Sequence, residues 1–388
     1  MKRVGLVITL GGINYGMLLQ SFATQQYLDK VGFNTVIIRI QEKRGGYRFA
    51  SRVGYLLKTV TKPLSLKIAL NKRKRRKTVN KNPVLQAAYA ERKRCANAFI
   101  QESFHNIVTF SSEKTASEEV KNYAAVIVGS DQQWNPAAFF SNYVTLMFVP
   151  EEVRKISYAT SLGVSNIPKY LKKRGRKFLS RIDFLSVREP SGKKIVDSII
   201  GEKAVVVLDP TLLLTGEEWN LLIDCKRPTA KPYVFCYFLG DNIEYLEAVR
   251  QFCLDRNYKM VVVRNVETYL GNVNDIGDNI IEAPSVEEFI SYIKYANFVC
   301  TDSFHCTIFS IINHRKFSSF YRTKSSDKNS RNARIDDFLG ELGLQSHIYN
   351  ISKDIAKIYE QKIEYSEIDK HLDKLRRDSI SFLSNALE

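Results

Sequence analysis

Apolar and polar positions follow two periods along the chain. Short unbroken apolar runs mark buried strands, and longer stretches with apolar residues three and four apart mark helices. Val4–Leu10 is the first apolar run. Tyr15–Val31 follows, with Leu18, Leu19, Phe22, Ala23, Tyr27 and Leu28 at helical spacing, and Thr35–Ile40 is the next strand. A strand, a helix and a second strand in that order predict a parallel pair joined by a crossover.

The alternation breaks from about Gln41 to Gln101, where the residues are basic and helical in pattern. Within this stretch Lys72–Lys77 is an unbroken cationic run, and Val53–Leu70 alternates apolar with basic residues. The expectation is a basic helical insertion on a first domain. The α/β pattern resumes at Tyr123–Val128. Further strands are expected at Lys155–Thr160, Phe184–Val187 and Ala204–Leu208, with helices at Lys169–Arg181 and Ser191–Ile200. Leu214–Pro232, with a short helix and then Lys226-Arg227-Pro228, reads as a crossing between domains.

A second set follows: strands at Tyr233–Leu239, Lys259–Val263, Phe298–Thr301 and Lys316–Tyr321, and helices at Ile243–Arg256, Val286–Ala296 and His305–Asn313. Helical stretches at Ala333–Leu342 and Ile363–Leu387 close the chain. The pattern predicts an α/β protein of two doubly wound, Rossmann-like domains facing a cleft. They would span residues 1–225, with the insertion over about 41–101, and 226–362, followed by a C-terminal helix over 363–388. In such sheets ligands bind beyond the C-terminal ends of the strands.

Composition adds limits. At 388 residues the chain exceeds what one core usually supports, in keeping with two domains. Lys and Arg number 58 against 41 Asp and Glu, a net charge of +17, which calls for an acidic partner: a phosphorylated substrate, anionic lipid or nucleic acid. The 6 cysteines form no CxxC, so neither a disulfide framework nor a zinc site is expected. Val4–Leu10 is short and runs into glycines, which fits a buried strand better than a secretion signal, and no apolar run is long enough to cross a membrane. The protein is expected in the cytoplasm, with attachment to the inner face of the membrane open to it through the basic insertion.

Several strand ends carry candidate chemistry. Gly11-Gly12-Ile13-Asn14-Tyr15-Gly16 lies between the first strand and helix, where glycines allow close approach of a ligand and a helix N-terminus attracts anions. It matches neither GxGxxG nor the Walker A loop, and a plain turn is the alternative. Gly129-Ser130-Asp131-Gln132-Gln133-Trp134-Asn135-Pro136 is dense in polar groups after an apolar strand. Trp134 could stack on a sugar ring there, or lie in the core. Arg188 follows another strand and offers a planar guanidinium to a phosphate or carboxylate, or a salt bridge to Glu189. Asp209, before Pro210, reads as a turn cap first and a catalytic group second.

Asp302-Ser303-Phe304-His305 is the sharpest segment. Asp302 or Ser303 can cap the helix that His305 begins, and imidazole is the side chain suited to proton transfer near neutral pH. A Ser-His-Asp hydrolase does not fit, since the three lie too close together and no GxSxG elbow is present. Arg334 opens a late helix from a basic stretch and could reach a phosphate in the cleft, or the stretch is a solvated basic loop.

Taken in order, these segments resemble the polysaccharide pyruvyl transferase family. Asn14-Tyr15-Gly16 with Leu19-Gln20 is similar to its N-terminal signature, and Gly129-Ser130-Asp131-Gln132 with Trp134-Asn135-Pro136 to its central one. Ser186-Val187-Arg188-Glu189, Asp209-Pro210-Thr211 and Asp302-Ser303-Phe304-His305 complete the set, with Cys306 standing where the family usually has glycine. The resemblance implies a glycosyltransferase-B-like fold, phosphoenolpyruvate as donor and a sugar of a glycan or cell-wall polymer as acceptor. The expected product is a pyruvyl ketal.

On that chemistry His305 is the candidate acid/base. Asp131 or Asp302 would take the hydroxyl proton or orient His305, and Arg188 and Arg334 would bind the donor's anionic groups. Asn14, Tyr15, Gly16, Ser130, Trp134, Asn135 and Ser303 would line the cleft. No metal and no cofactor is required. The basic insertion suits an acceptor carried on lipid at an anionic membrane, or a solvated hairpin. Three other readings fit parts of the pattern: a sugar-nucleotide glycosyltransferase of the same fold, a nucleic-acid-binding protein and a non-catalytic scaffold. No nucleic-acid recognition motif is present, so nucleic acid is not expected as a partner.

Overall fold

A computed structural model describes residues 2–41, 82–164, 166–240, 242–267, 276–322, 332–350 and 354–388. Most of the expected basic insertion, Lys72–Lys77 included, lies outside the described residues.

The first sheet has seven parallel strands: β1 (Arg3–Val7), β2 (Asn34–Ile40), β3 (Ile107–Phe110), β4 (Ala125–Val128), β5 (Arg154–Thr160), β6 (Phe184–Val187) and β7 (Val205–Val206). They lie side by side in the order β3-β2-β1-β4-β5-β6-β7. Helices α1 (Tyr15–Lys30), α2 (Pro83–Ser103), α3 (Glu113–Val120), α4 (Lys169–Leu179), α5 (Pro190–Ile200) and α6 (Gly216–Leu222) accompany it. The second sheet holds β8 (Tyr233–Tyr237), β9 (Lys259–Val263), β10 (Asn279–Ile281), β11 (Phe298–Thr301), β12 (Phe317–Phe320) and β13 (Ile348–Tyr349). Its order is β10-β9-β8-β11-β12-β13. Its helices are α7 (Ile243–Asp255), α8 (Val286–Lys294), α9 (Phe304–Ile312), α10 (Ala333–Glu341) and α11 (Ile355–Glu360), and α12 (Tyr365–Leu387) ends the chain.

Both sheets are doubly wound. Each reverses direction at one point, between β1 and β4 in the first and between β8 and β11 in the second. At such a point the loops leaving two adjacent strands diverge and leave a crevice. The loops that carry Asn14 and Asp131 flank the first crevice. Those that carry Gly240 and Asp302 flank the second.

The strands beside the crevices are largely apolar, as sheets covered on both faces require. Ala125–Val128 and Phe298–Thr301, for example, are buried at every position. One apolar cluster runs from the first sheet through α1 into α8 and α9 without a break. Tyr15 stacks on Phe289 across this junction, ring centroids 4.2 Å apart, and Trp219 bridges Phe22 and Phe309.

The stretch read as an insertion ends differently from expectation. Its described part, α2, is the crossover that brings the chain from β2 to the parallel strand β3, and Ala96, Phe99 and Ile100 lie in the core. Arg92 on α2 reaches over to the other domain and donates to the carbonyls of Arg264 and Glu282 at 2.7 and 2.9 Å.

Candidate active site

Five charged side chains meet where the two crevices face each other. Asp131 follows β4 and Arg188 follows β6. Asp209 lies three residues past β7. His305 sits in the first turn of α9, and Arg334 in the first turn of α10. Four of the five lie just beyond the C-terminal ends of parallel strands, where ligands of doubly wound sheets bind.

Asp209 is the hub. Its carboxylate accepts from Arg188 Nη1 at 2.6 Å, and from the Thr211 amide and hydroxyl at 3.0 and 2.7 Å. His305 Nε2, from the other domain, stands 3.3 Å from Asp209 Oδ2, off the line of a hydrogen bond. Burial tends to raise the Asp209 carboxyl, but His305, Arg188 and Thr211 more than reverse this and hold it far below the usual carboxylate range.

Arg188 is enclosed by acids: besides Asp209, Asp131 Oδ1 lies 3.6 Å from Nη2 and Glu189 Oε2 lies 3.7 Å from Nε. Burial disfavours its charge, and the three carboxylates more than offset that. Its Nε and Nη2 still find no hydrogen-bond partner among the described residues. A buried donor in that state costs free energy until something accepts from it.

Arg334 is the less compensated cation. Burial and the nearby Arg188 pull it down to about 9. A guanidinium under that pressure gains from any anion placed against it. The Gln132 side-chain oxygen, with the amide turned toward Arg334, accepts from its two terminal nitrogens at 2.8 and 3.2 Å. The Phe304 ring lies beneath both guanidiniums, 4.7 Å from Arg188 and 5.6 Å from Arg334. A cation over an aromatic face is attracted to it.

Asp131 is the carboxylate open to a substrate. Its side chain is 28% exposed, against 1% for Asp209 and 4% for Glu189. It follows a cis peptide at Gly129-Ser130 and sits at φ 63°, a left-handed setting uncommon for a residue with a side chain. Ser130 holds this bend from below: its amide donates to Gln20 and its hydroxyl to the Ala159 carbonyl.

Other residues expected in the site have other duties. Trp134 is 1% exposed; its indole packs edge-on against Phe178 and donates to the Val144 carbonyl, so its face is closed to a sugar. Tyr15 is likewise buried between the domains, its hydroxyl donating to Pro284. Asn14 caps α1 by accepting from Met17, and Ser303 caps α9 by accepting from Cys306. Asn135 closes the turn after Gln132.

Asp302 does not face His305. It accepts from the amides of Leu239 and Gly240, both at 2.7 Å, and so braces the loop after β8. Burial outweighs these donors and nearby Arg322, and raises its carboxyl above the usual value. Gly16 bears on the site through its lack of a side chain, since a Cβ there would overlap the His305 imidazole.

Asp209 is the turn cap that its place before Pro210 predicts, and it also joins Arg188 to His305. Gln132 and Glu189 sit within the strand-end motifs, but nothing in their local sequence marks them as partners of Arg334 and Arg188. Among the described residues no group of His, Cys, Asp and Glu is arranged to hold a metal ion. The site as built brings together two buried guanidiniums, an imidazole beside one buried carboxylate, and a second carboxylate open to the cleft.

Known structures share this architecture. A Listeria monocytogenes protein assigned as a UDP-N-acetylglucosamine 2-epimerase superposes with a TM-score of 0.52 at 10% identity, over 97% of this chain and 90% of that one. The UDP-GlcNAc 2-epimerase of Methanocaldococcus jannaschii does so at 0.50 and 11%, over 96% and 92%. LpCGTa, solved in complex with UDP, gives 0.51 and 9%, over 100% and 99%. At such identities the likeness is one of fold, the glycosyltransferase-B-like pairing of two α/β domains. No curated protein matches the chain. The family model described as polysaccharide pyruvyl transferase matches residues 14–324.

Proposed function

The chain belongs to the polysaccharide pyruvyl transferase family, and we propose that it moves pyruvate from phosphoenolpyruvate onto two hydroxyls of a glycan sugar as a ketal, with release of phosphate. The observation that carries this reading is the meeting of His305 with Asp209 beside two buried arginines. An enol phosphate needs both: a proton donor for its carbon, and cations for its phosphate and carboxylate.

In this scheme Arg334, with the unpartnered Nε and Nη2 of Arg188, binds the donor's anionic groups. His305, as imidazolium, gives its proton to the methylene carbon, and C2 becomes cationic. A sugar hydroxyl adds to C2 while Asp131 takes its proton. The C2–O bond to phosphate then breaks, and the departing phosphate carries that proton away. The second hydroxyl closes the ketal and its proton restores the imidazolium. Asp209 holds His305 in place. The acceptor is proposed to be a sugar of a surface or cell-wall glycan, carried on lipid at the inner face of the membrane.

The direct test incubates the purified protein with phosphoenolpyruvate and a panel of synthetic and lipid-linked glycans. Phosphate release should match a gain of one pyruvyl ketal in acceptor mass. No release across the panel, with a sugar nucleotide bound instead, would overturn the reading in favour of glycosyl transfer. Replacing His305 by Ala should lower kcat by about 100-fold or more with donor binding kept; full turnover in that variant would remove His305 from its role.

A further inference from the structure

Helix α4 is divided sharply between two faces. Leu171, Phe178 and Leu179 are buried against the sheet, where Phe178 meets Trp134 and Phe139. On the opposite face Lys169, Lys172, Lys173, Arg176 and Lys177 are all exposed. Their spacing places them in one stripe along the helix, since positions three and four apart share a face. The helix contains no Asp or Glu. Tyr170, 39% exposed, stands at its first turn among these cations.

The neighbouring helix α5 adds exposed Lys194, and its own acid, Asp197, is taken up by Lys193 at 2.5 Å. Exposed Asp183 and Glu202 lie beyond the helix ends. Arg176 is anchored by donating to the Ile199 carbonyl. The stripe therefore belongs to a packed surface.

Its place in the fold ties it to the cleft. The loop that leads into α4 starts at the site itself. The Ser161 amide donates to the Asp131 carbonyl at 2.8 Å, and its hydroxyl to Glu189 at 2.6 Å. Gly163 then packs on the Gln132 side chain. The chain enters α4 a few residues later, so the cationic stripe begins at the rim of the cleft.

We propose that this face of α4 docks the protein onto an anionic lipid bilayer, with the cleft mouth held at the headgroup level. A bilayer is favoured by the shape of the surface: a straight stripe about 16 Å long on one helix, not a groove, with one interfacial aromatic at its end. A nucleic-acid track would interleave several rings with its cations. The proposal rests on the reading above for what docking achieves, which is to bring a lipid-borne acceptor to Asp131 and His305. The docking itself is testable without turnover.

The test sediments the full-length protein with vesicles of equimolar phosphatidylcholine and phosphatidylglycerol, and with phosphatidylcholine alone. Binding should require the anionic lipid and weaken as salt rises. The Lys172→Gln, Lys173→Gln double variant should bind about 25-fold more weakly, at roughly fivefold per lost cation. Its melting temperature and its phosphate release with a water-soluble acceptor should match the parent's. Three results would each sink the proposal: no binding by the parent, undiminished binding by the double variant, or α4-dependent preference for duplex oligonucleotide over vesicles at the same salt. Loss of binding on neutralising Lys72–Lys77, with none on neutralising Lys172 and Lys173, would also move docking away from α4. Failure of the transferase assay alone would leave the vesicle result standing.

Discussion

Asp209 takes contacts from two directions, Arg188 on its own domain and His305 on the other. An Asn in its place keeps the shape but loses the charge. The variant Asp209→Asn should lower kcat roughly 100-fold through a misplaced or wrongly protonated imidazole, while donor binding changes less. It should also cost about 3 kcal/mol of stability at neutral pH, as breaking a buried pair does. The pH dependence has a definite sign. The Asp209 carboxyl is held below its unfolded value, so its stabilisation is complete above about pH 4 and drains away as pH falls below that. A plot of melting temperature against pH should therefore fall less steeply in acid for the variant; parallel acid limbs would refute the assignment. Asp302 works in the other direction, since its carboxyl is raised and ionising it in the fold costs stability. At this scale the motifs at the strand ends could be read from sequence, because an apolar run that stops at polar residues marks its own end. Which carboxylate faces His305 could not be read. That choice depends on how two domains meet, and no local spacing encodes it. Trp134 shows the same limit: its neighbours are polar, but the turn points its ring into the core.

The first turns of helices α1 and α9 meet at Gly16 and His305, and the lack of a side chain at Gly16 is what lets them do so. Alanine is the better helix former, so Gly16→Ala should strengthen α1 in isolation. In the protein its methyl group meets His305, and overpacking of this kind costs about 1–3 kcal/mol. The expected result is a modest loss of melting temperature with a much larger loss of kcat, measured by thermal melts and phosphate release side by side. A variant with lower stability and parental kcat would show that His305 tolerates displacement. Elements with a full apolar run were found from sequence to within a residue or two, as with β6, β9 and β11. Strands β3, β10 and β13, which the apolar pattern does not reveal, are short and each lies at a sheet edge, where half the positions need not be apolar: Val108 is 38% exposed. Missing β3 is also what made α2 look like an insertion, for a crossover is recognised only when the strand after it is known.

Across the whole molecule the two sheets share one apolar cluster, which predicts a single cooperative unfolding transition. Arg92→Met tests how far polar contacts add to it. The change removes the guanidinium that lies over the Tyr15 ring and, with it, the donors to Arg264 and Glu282. It should lower stability by about 3 kcal/mol in chemical denaturation, two bonds from a charged donor being lost, without splitting the transition in two. Helix α12 fastens the arrangement from outside: Tyr365 donates to the Arg315 carbonyl of the second domain, and Arg376 to the Leu212 carbonyl of the first. The contact between His305 and Asp209 has a meaning for a chain still being synthesised. Arg188 and Asp209 lie 21 positions apart, close enough to pair as soon as the first sheet folds. His305 emerges much later. Until it arrives, the early half of the chain holds this carboxylate paired with an arginine and lacks the imidazole proposed as the acid. On that proposal a chain that stops before α9 cannot carry out the transfer, and reactivity waits for the second domain.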